Sequence, residues 1–262
     1  MELVQTVKTV NGEMDYVRFG KGSKNFVIIP GLSVKSVMGS AAAIADAYGM
    51  FADAYTVWLF DRRKELPAVY PVKQMAEDTA AAMKELGIQD AYIFGASQGG
   101  MIVMEIAIRH PELISKAVLG STTSHVAGDG GNLASWISKA ESGDIDGLNM
   151  AFAEMVYSES FYQQYKDLIL AAGEGTTKED LARFLILAKG AEGFDCRDEL
   201  TKIKCPVLVL GAGKDRVLGV EASREIAAAL RCEIYVYEDY GHAVYDEAPD
   251  YKDRIMNFFG KA

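Results

Sequence analysis

Gly95-Ala96-Ser97-Gln98-Gly99 spells G-x-S-x-G, a pentapeptide that can set a serine on a turn too tight for bulky neighbours. It follows the apolar run Ala91 to Phe94 and opens a helical pattern from Met101 to Arg109, so the serine would emerge where a strand turns into a helix. Gly95, Ala96, Gly99 and Gly100 give such an elbow the room it needs. The plain alternative is a glycine-rich connection without chemistry. A serine hydroxyl is a weak nucleophile near neutral pH and needs a base within hydrogen-bond reach, held in turn by a third group. Three histidines are available. His110 closes the helix after the elbow, just before Pro111, where helix capping accounts for it. His125 lies in a loop beyond Ala117-Val118-Leu119, the ordinary place for a solvated imidazole. His242, in Tyr240-Gly241-His242-Ala243, follows the segment Glu233 to Tyr237 and precedes the last helical pattern, which places it at the same strand ends as Ser97. The acid should leave another strand at that edge. Asp215, in Gly211-Ala212-Gly213-Lys214-Asp215-Arg216-Val217 after the run Val207 to Leu210, fits best, against the alternative of a solvated carboxylate between two cations. Glu238, Asp239 and Asp246 are close to His242 along the chain and are weaker candidates.

These residues need a sheet to bring them together. Leu3 to about Lys21 alternates, with turn residues at Asn11-Gly12 and Gly20 to Gly22, and predicts an antiparallel hairpin at a sheet edge. The runs Phe26 to Ile29, Val57 to Phe60, Ala91 to Phe94, Ala117 to Leu119 and Val207 to Leu210 are continuously apolar, as strands of a parallel sheet covered on both faces are. Helical spacing over Val72 to Leu86, Gly100 to Arg109, Val220 to Leu230 and about Tyr251 to Phe259 supplies the covering layers. The expected fold class is α/β, a mostly parallel doubly wound sheet. From 121 to 200 strand signals stop, and Leu133 to Ala140, Gly147 to Val156, Phe161 to Ala171 and Lys178 to Leu187 read as helices. That segment is expected to be an inserted helical lid dividing a core of residues 1–120 and 201–262. Its aromatics, among them Trp136, Phe152, Tyr157 and Phe184, should mostly pack the lid and partly line a pocket.

The 262 residues correspond to about 1.7 units of roughly 150 residues, which suits one large domain with an insertion. With 27 Lys and Arg against 37 Asp and Glu, the net charge of −10 opposes nucleic acids and anionic membranes. The longest stretch free of those four residue types, Ala91 to Met104, is shorter than the roughly 20 residues of a spanning helix. The N-terminus lacks the basic start and apolar run of a signal peptide, so a cytoplasmic location is expected. Cys196, Cys205 and Cys232 suit neither a disulfide framework nor a zinc knuckle and read as reduced structural residues. With scattered histidines and no glycine-rich phosphate loop, neither metal nor cofactor is expected, and the partner is a small-molecule substrate.

On the elbow Gly95 to Gly99, the acid loop Gly211 to Val217, the pair Gly241-His242 and the order serine, aspartate, histidine, the chain resembles the α/β-hydrolase superfamily, and within it the capped single-domain esterases, lactonases and carbon–carbon bond hydrolases. The resemblance spans nearly the whole chain. It implies Ser97 as nucleophile, His242 as general base and then acid, and Asp215 as the group that fixes the imidazole tautomer. It further implies an oxyanion hole made by the backbone N–H groups of Gln98 and, from Pro30-Gly31-Leu32-Ser33, of Leu32. Two departures stand out. Pro30 replaces the histidine of the common His-Gly pair, and Asp61-Arg62-Arg63-Lys64 stands where relatives often continue Arg-Gly-x-Gly-x-Ser. The basic run reads as a solvated face or as a rim for anionic substrates. The expected activity is that of a serine hydrolase acting through an acyl-enzyme on a small or medium, uncharged carboxylic ester or related acyl compound. Carbon–carbon cleavage, enol-lactone opening, acyl transfer and a slow-turnover ligand receptor are the alternatives.

Overall fold

The computed structural model describes residues 3–126 and 132–261. Met1, Glu2, Ala262 and, within the expected lid segment, 127–131 lie outside the described residues. Strands β1 (Val4–Thr9) and β2 (Gly12–Phe19) form the expected antiparallel hairpin, and β2 docks antiparallel on β4 (Tyr55–Arg63). Strands β3 (Lys24–Ile29), β5 (Ala91–Ala96), β6 (Ile114–Gly120), β7 (Val207–Ala212) and β8 (Glu233–Tyr237) complete one eight-stranded sheet in the order β1-β2-β4-β3-β5-β6-β7-β8. From β4 to β8 every pairing is parallel. Among the described residues no helix is long and apolar enough to cross a membrane.

The period of two along each strand decides which side chain enters which layer. Val27, Ile29, Ile93, Leu119 and Val209 face the layer made by α2 (Val72–Glu85), α3 (Gln98–Arg109) and α8 (Val220–Leu230). Phe26, Ile28, Phe94, Val118 and Leu208 face the layer made by α1 (Ala41–Ala47) and α10 (Tyr251–Gly260). Phe26 packs there between Phe51 and Phe259, with ring centroids at 4.6 and 5.2 Å. Each such buried ring contributes about 1.5–3 kcal/mol relative to exposure. Both faces being covered is why these strands read as unbroken apolar runs.

Between β6 and β7 the chain forms α4 (Asn132–Ser142), α5 (Ile145–Val156), α6 (Glu159–Gly173) and α7 (Lys178–Lys189). Their starts are written in capping side chains: Asp144 accepts from Gly147 N, Ser158 from Phe161 N, and Thr177 with Asp180 forms a capping box. Trp136, Leu148 and Phe184 centre an apolar cluster of their own. A short α9 (Val244–Glu247) follows β8. Cys196 is buried and Cys205 and Cys232 half-buried, all three free. Burial pushes the Cys205 and Cys232 thiols up to about 11, which makes them poor nucleophiles.

Candidate active site

The loops that leave β3, β5, β7 and β8 meet at the C-terminal edge of the parallel strands, the usual ligand edge of an open α/β sheet. Ser97 ends β5 with φ 53° and ψ −123°, a backbone setting that costs a non-glycine residue about 1–3 kcal/mol. Several bonds enforce it. Ser97 N donates to Gly120 O at 2.9 Å, and Ser97 O accepts from Thr122 Oγ1 at 2.7 Å and from Gly100 N at 2.8 Å. Although Ser97 occupies the N-cap of α3, its hydroxyl makes no capping bond, because the left-handed turn points it away from the helix. The neighbouring glycines are required by contact. A Cβ on Gly99 would overlap the carbonyl oxygen of Ile29 and lie 2.6 Å from that of Pro30. Gly99→Ala is therefore expected to lower stability by about 3 kcal/mol, the upper end for an overpacked core, since backbone on both sides cannot move aside. Urea denaturation measures this, and a loss below 1 kcal/mol would contradict the tight elbow.

His242 and Asp215 are brought together from β8 and β7. Nδ1 of His242 faces Oδ2 of Asp215 at 2.8 Å, and both side chains are almost fully buried. The other carboxylate oxygen accepts from the amides of Val217 and Leu218 at 2.8 and 3.0 Å. Burial opposes the charge on Asp215. The imidazole beside it and these hydrogen bonds outweigh burial and hold its carboxyl below the usual range, so it is an anion throughout the neutral range and can accept Nδ1–H. The two loops are joined by backbone: Gly213 N donates to Tyr237 O at 2.9 Å and Lys214 N to Tyr240 O at 3.0 Å. His110 and His125 lie elsewhere. His110 caps α3 with Nε2 2.9 Å from Glu77, and the backbone of His125 pairs with that of Asp195 in an isolated antiparallel bridge. Asp239 pairs with Lys214 at 3.1 Å on the surface.

The loop after β3 packs against the elbow so closely that a Cβ on Gly31 would lie 3.1 Å from Ser97 Cβ. Leu32 and Gln98 both border the cavity beside Ser97, and among the described residues neither backbone N–H has a protein acceptor. For Arg62 both readings of the basic run are corrected, while Lys64 is exposed, as a solvated face would be. Arg62 is neither a solvated face nor a rim: at 3% exposure it lies beneath the elbow, because β4 stays buried through residue 62 before it ends. Its Nη2 donates to Pro30 O at 2.8 Å and to Gln98 Oε1 at 3.2 Å, one guanidinium spanning the two loops. Burial lowers its pKa to about 10, against the pull of Asp61, so it is charged at neutral pH. Gln98 Nε2 in turn donates to Leu187 O on α7 at 2.8 Å, and Arg183 on α7 reaches Asp61 at 2.6 Å. Ser36 Oγ and Arg62 N also donate to Asp61. Sequence reasoning missed this network; an Asp-Arg pair continuing a buried strand without a Gly or Pro break was the available signal.

Above these residues opens a cavity of about 680 Å³. Ser97, His242, Leu32 and Gln98 border it from the sheet side, and Leu133, Trp136, Phe152, Val156 and Tyr157 from α4 and α5. Tyr48, Tyr245 and Asp246 complete one side, and Lys35 another. The lining is mostly apolar, with a few converging polar groups, as expected of a small-molecule site.

A family model described as alpha/beta hydrolase fold matches residues 26–249, well over half of the chain. A 2-hydroxy-6-oxononadienedioate/2-hydroxy-6-oxononatrienedioate hydrolase of Pseudomonas sp is 26% identical over 229 residues, covering 80% of this chain and 80% of that protein. Among solved structures, MGS-M2, an alpha/beta hydrolase enzyme from a Medee basin deep-sea metagenome library, superposes with a TM-score of 0.87 at 22% identity, covering 98% of each chain. The enol-lactonase from Burkholderia xenovorans LB400 gives 0.87 at 18% identity over 98% of this chain and 100% of its own. The sheet order, the edge at which the loops converge and the extent of these matches agree: the chain belongs to the alpha/beta hydrolase fold family.

Proposed function

We propose that this hydrolase cleaves small or medium carboxylic esters or related acyl compounds through an acyl-enzyme on Ser97. The observation that carries the reading is that the strained Ser97 and His242, the latter paired with the buried Asp215, border one largely apolar cavity. In this reading Ser97 Oγ attacks the acyl carbon while His242 Nε2 takes its proton, and Asp215 holds the imidazole in the Nδ1–H tautomer. The negative charge on the carbonyl oxygen falls between the N–H groups of Gln98 and Leu32, each donor contributing about 2.7–4 kcal/mol to the transition state. His242 gives the proton to the leaving group, and water attacks the acyl-enzyme with His242 as base. The helices within 121–200 serve as a lid that keeps bulk water from the acyl group.

An anionic substrate is disfavoured. The relative from Pseudomonas sp is named for a dioate, a dianion, whereas here the lysine of the cavity lining, Lys35, is committed to the carbonyls of Ala172 and Glu174 at 3.3 and 2.9 Å. A fluorophosphonate probe tests the assignment. The wild-type protein is expected to take up one phosphonyl group on Ser97, located by peptide mass spectrometry, and Ser97→Ala none. Undiminished labelling of that variant would sink the proposal.

A further inference from the structure

Acidic side chains that serve the fold in this region are saturated with donors. Glu247 accepts from both Ser158 N and Ser158 Oγ, Asp61 from Arg183, Arg62 N and Ser36, and Asp215 from His242 and two amides. Asp246 differs. It borders the cavity one helical turn beyond His242, solvent reaches it, and the one hydrogen bond its side chain accepts among the described residues is a long one from Tyr157 Oη at 3.4 Å. No salt bridge engages it among the described residues. Lys252, the cation whose field it feels, donates instead to Tyr245 O at 2.8 Å and lies 5.3 Å from the centre of the Tyr48 ring. The walls of the cavity push the Asp246 carboxyl up to about 6, and it is an anion at neutral pH. A carboxylate without a salt bridge among the described residues, bordering a cavity beside phenol rings, has the composition of a cation site.

We propose that Asp246 receives a cationic group, a protonated amine, carried by the substrate at the end remote from the scissile carbonyl. This rests on the acyl-enzyme reading of the cavity and narrows its substrate class to esters that carry a cation. Tyr48, Tyr157 and Tyr245 border the cavity with Asp246, and their ring faces can add cation–π attraction. The net charge of −10 raises the local concentration of cations and lowers that of anions. The titratable groups around Asp246 are Tyr157 from the end of α5, Tyr48 beyond α1, Tyr251 and Lys252 on α10, Tyr245 and Glu247 on its own helix, and His242 preceding it. The carboxylate must be ionised to hold the cation, so cation binding should strengthen as pH rises through about 6, and that part of the pH dependence should be lost in Asp246→Asn.

Calorimetry on Ser97→Ala with hexylammonium and its uncharged counterpart 1-hexanol reads the site without any turnover. Hexylammonium is expected to bind at least tenfold tighter at pH 7.5, and Asp246→Asn in the same background should remove that preference. In parallel, the active enzyme should prefer p-nitrophenyl 6-aminohexanoate over p-nitrophenyl heptanoate in kcat/KM, with the ratio falling at least tenfold in Asp246→Asn. Hexylammonium binding no tighter than hexanol, or an unaltered preference in a folded Asp246→Asn protein, overturns the cation site. Cation binding without Ser97-dependent turnover would overturn the acyl-enzyme reading alone.

Discussion

Replacing Ser97 with glycine is expected to lower p-nitrophenyl butyrate turnover by at least about 10⁴-fold and, at the same time, to raise the temperature of unfolding. The two effects have separate causes. Turnover falls because, on the proposed mechanism, Ser97 forms the acyl-enzyme, and the remaining donors accelerate attack by water far less. Stability rises because φ 53° and ψ −123° strain any residue with a Cβ, and glycine removes about 1–3 kcal/mol of that strain while costing about 0.5–1 kcal/mol in chain entropy. A net gain near 1 kcal/mol corresponds to about 2–4 °C at this chain length. Ser97→Ala keeps the Cβ and the strain, so it should lose activity without gaining stability. Melting curves of the three proteins read this directly. If glycine and alanine melt together, the strain is not stored at Ser97. If glycine retains turnover, the nucleophile lies elsewhere.

That a residue is held against its own preference explains why the centre of the site was legible in the sequence. An elbow with no room for side chains forces small residues at Gly95, Gly99 and Gly100, and such a constraint leaves a local signature. The strands were legible for a related reason: burial on both faces removes polar residues from Val27 to Ile29, Ile93 to Ala96 and Val207 to Ala212. What escaped was set by tertiary packing alone. Helix α1 carries one large apolar residue, Ile44, among alanines, so no period shows. Helix α3 starts at Gln98 rather than at Gly100 or Met101, since glycines carry no side chain to reveal a face. Arg62 looked like surface because charge ordinarily means solvent; nothing near it in sequence announces Pro30, Gln98 and Leu187 as its surroundings.

Arg62 carries the second large effect. Arg62→Met is expected to lower kcat on neutral p-nitrophenyl esters about 10²-fold with KM changed less than threefold, and to lower stability by about 1–3 kcal/mol. The methionine fills much of the volume, and it relieves the burial that already brings the guanidinium down to about 10. Against that gain stand two buried acceptors, Pro30 O and Gln98 Oε1, each losing a donor at about 1–3 kcal/mol. Asp61 keeps Arg183 and Ser36 and is not orphaned, which limits the damage. Catalysis suffers along with stability because the two acceptors belong to the two segments whose amides, Leu32 and Gln98, are proposed to hold the oxyanion. A shift of some tenths of an ångström between them weakens a bond that matters most in the transition state, hence an effect on kcat rather than KM. Arg62→Lys separates charge from geometry: an ammonium keeps the charge but ends a side chain one bond shorter than the one that carries Nη2, the nitrogen that reaches both acceptors. It should recover stability more fully than kcat. Full recovery of kcat by lysine would show that the charge, and not the bridge, sets the oxyanion geometry, and a methionine variant with undiminished kcat would show that the loops hold their positions without Arg62.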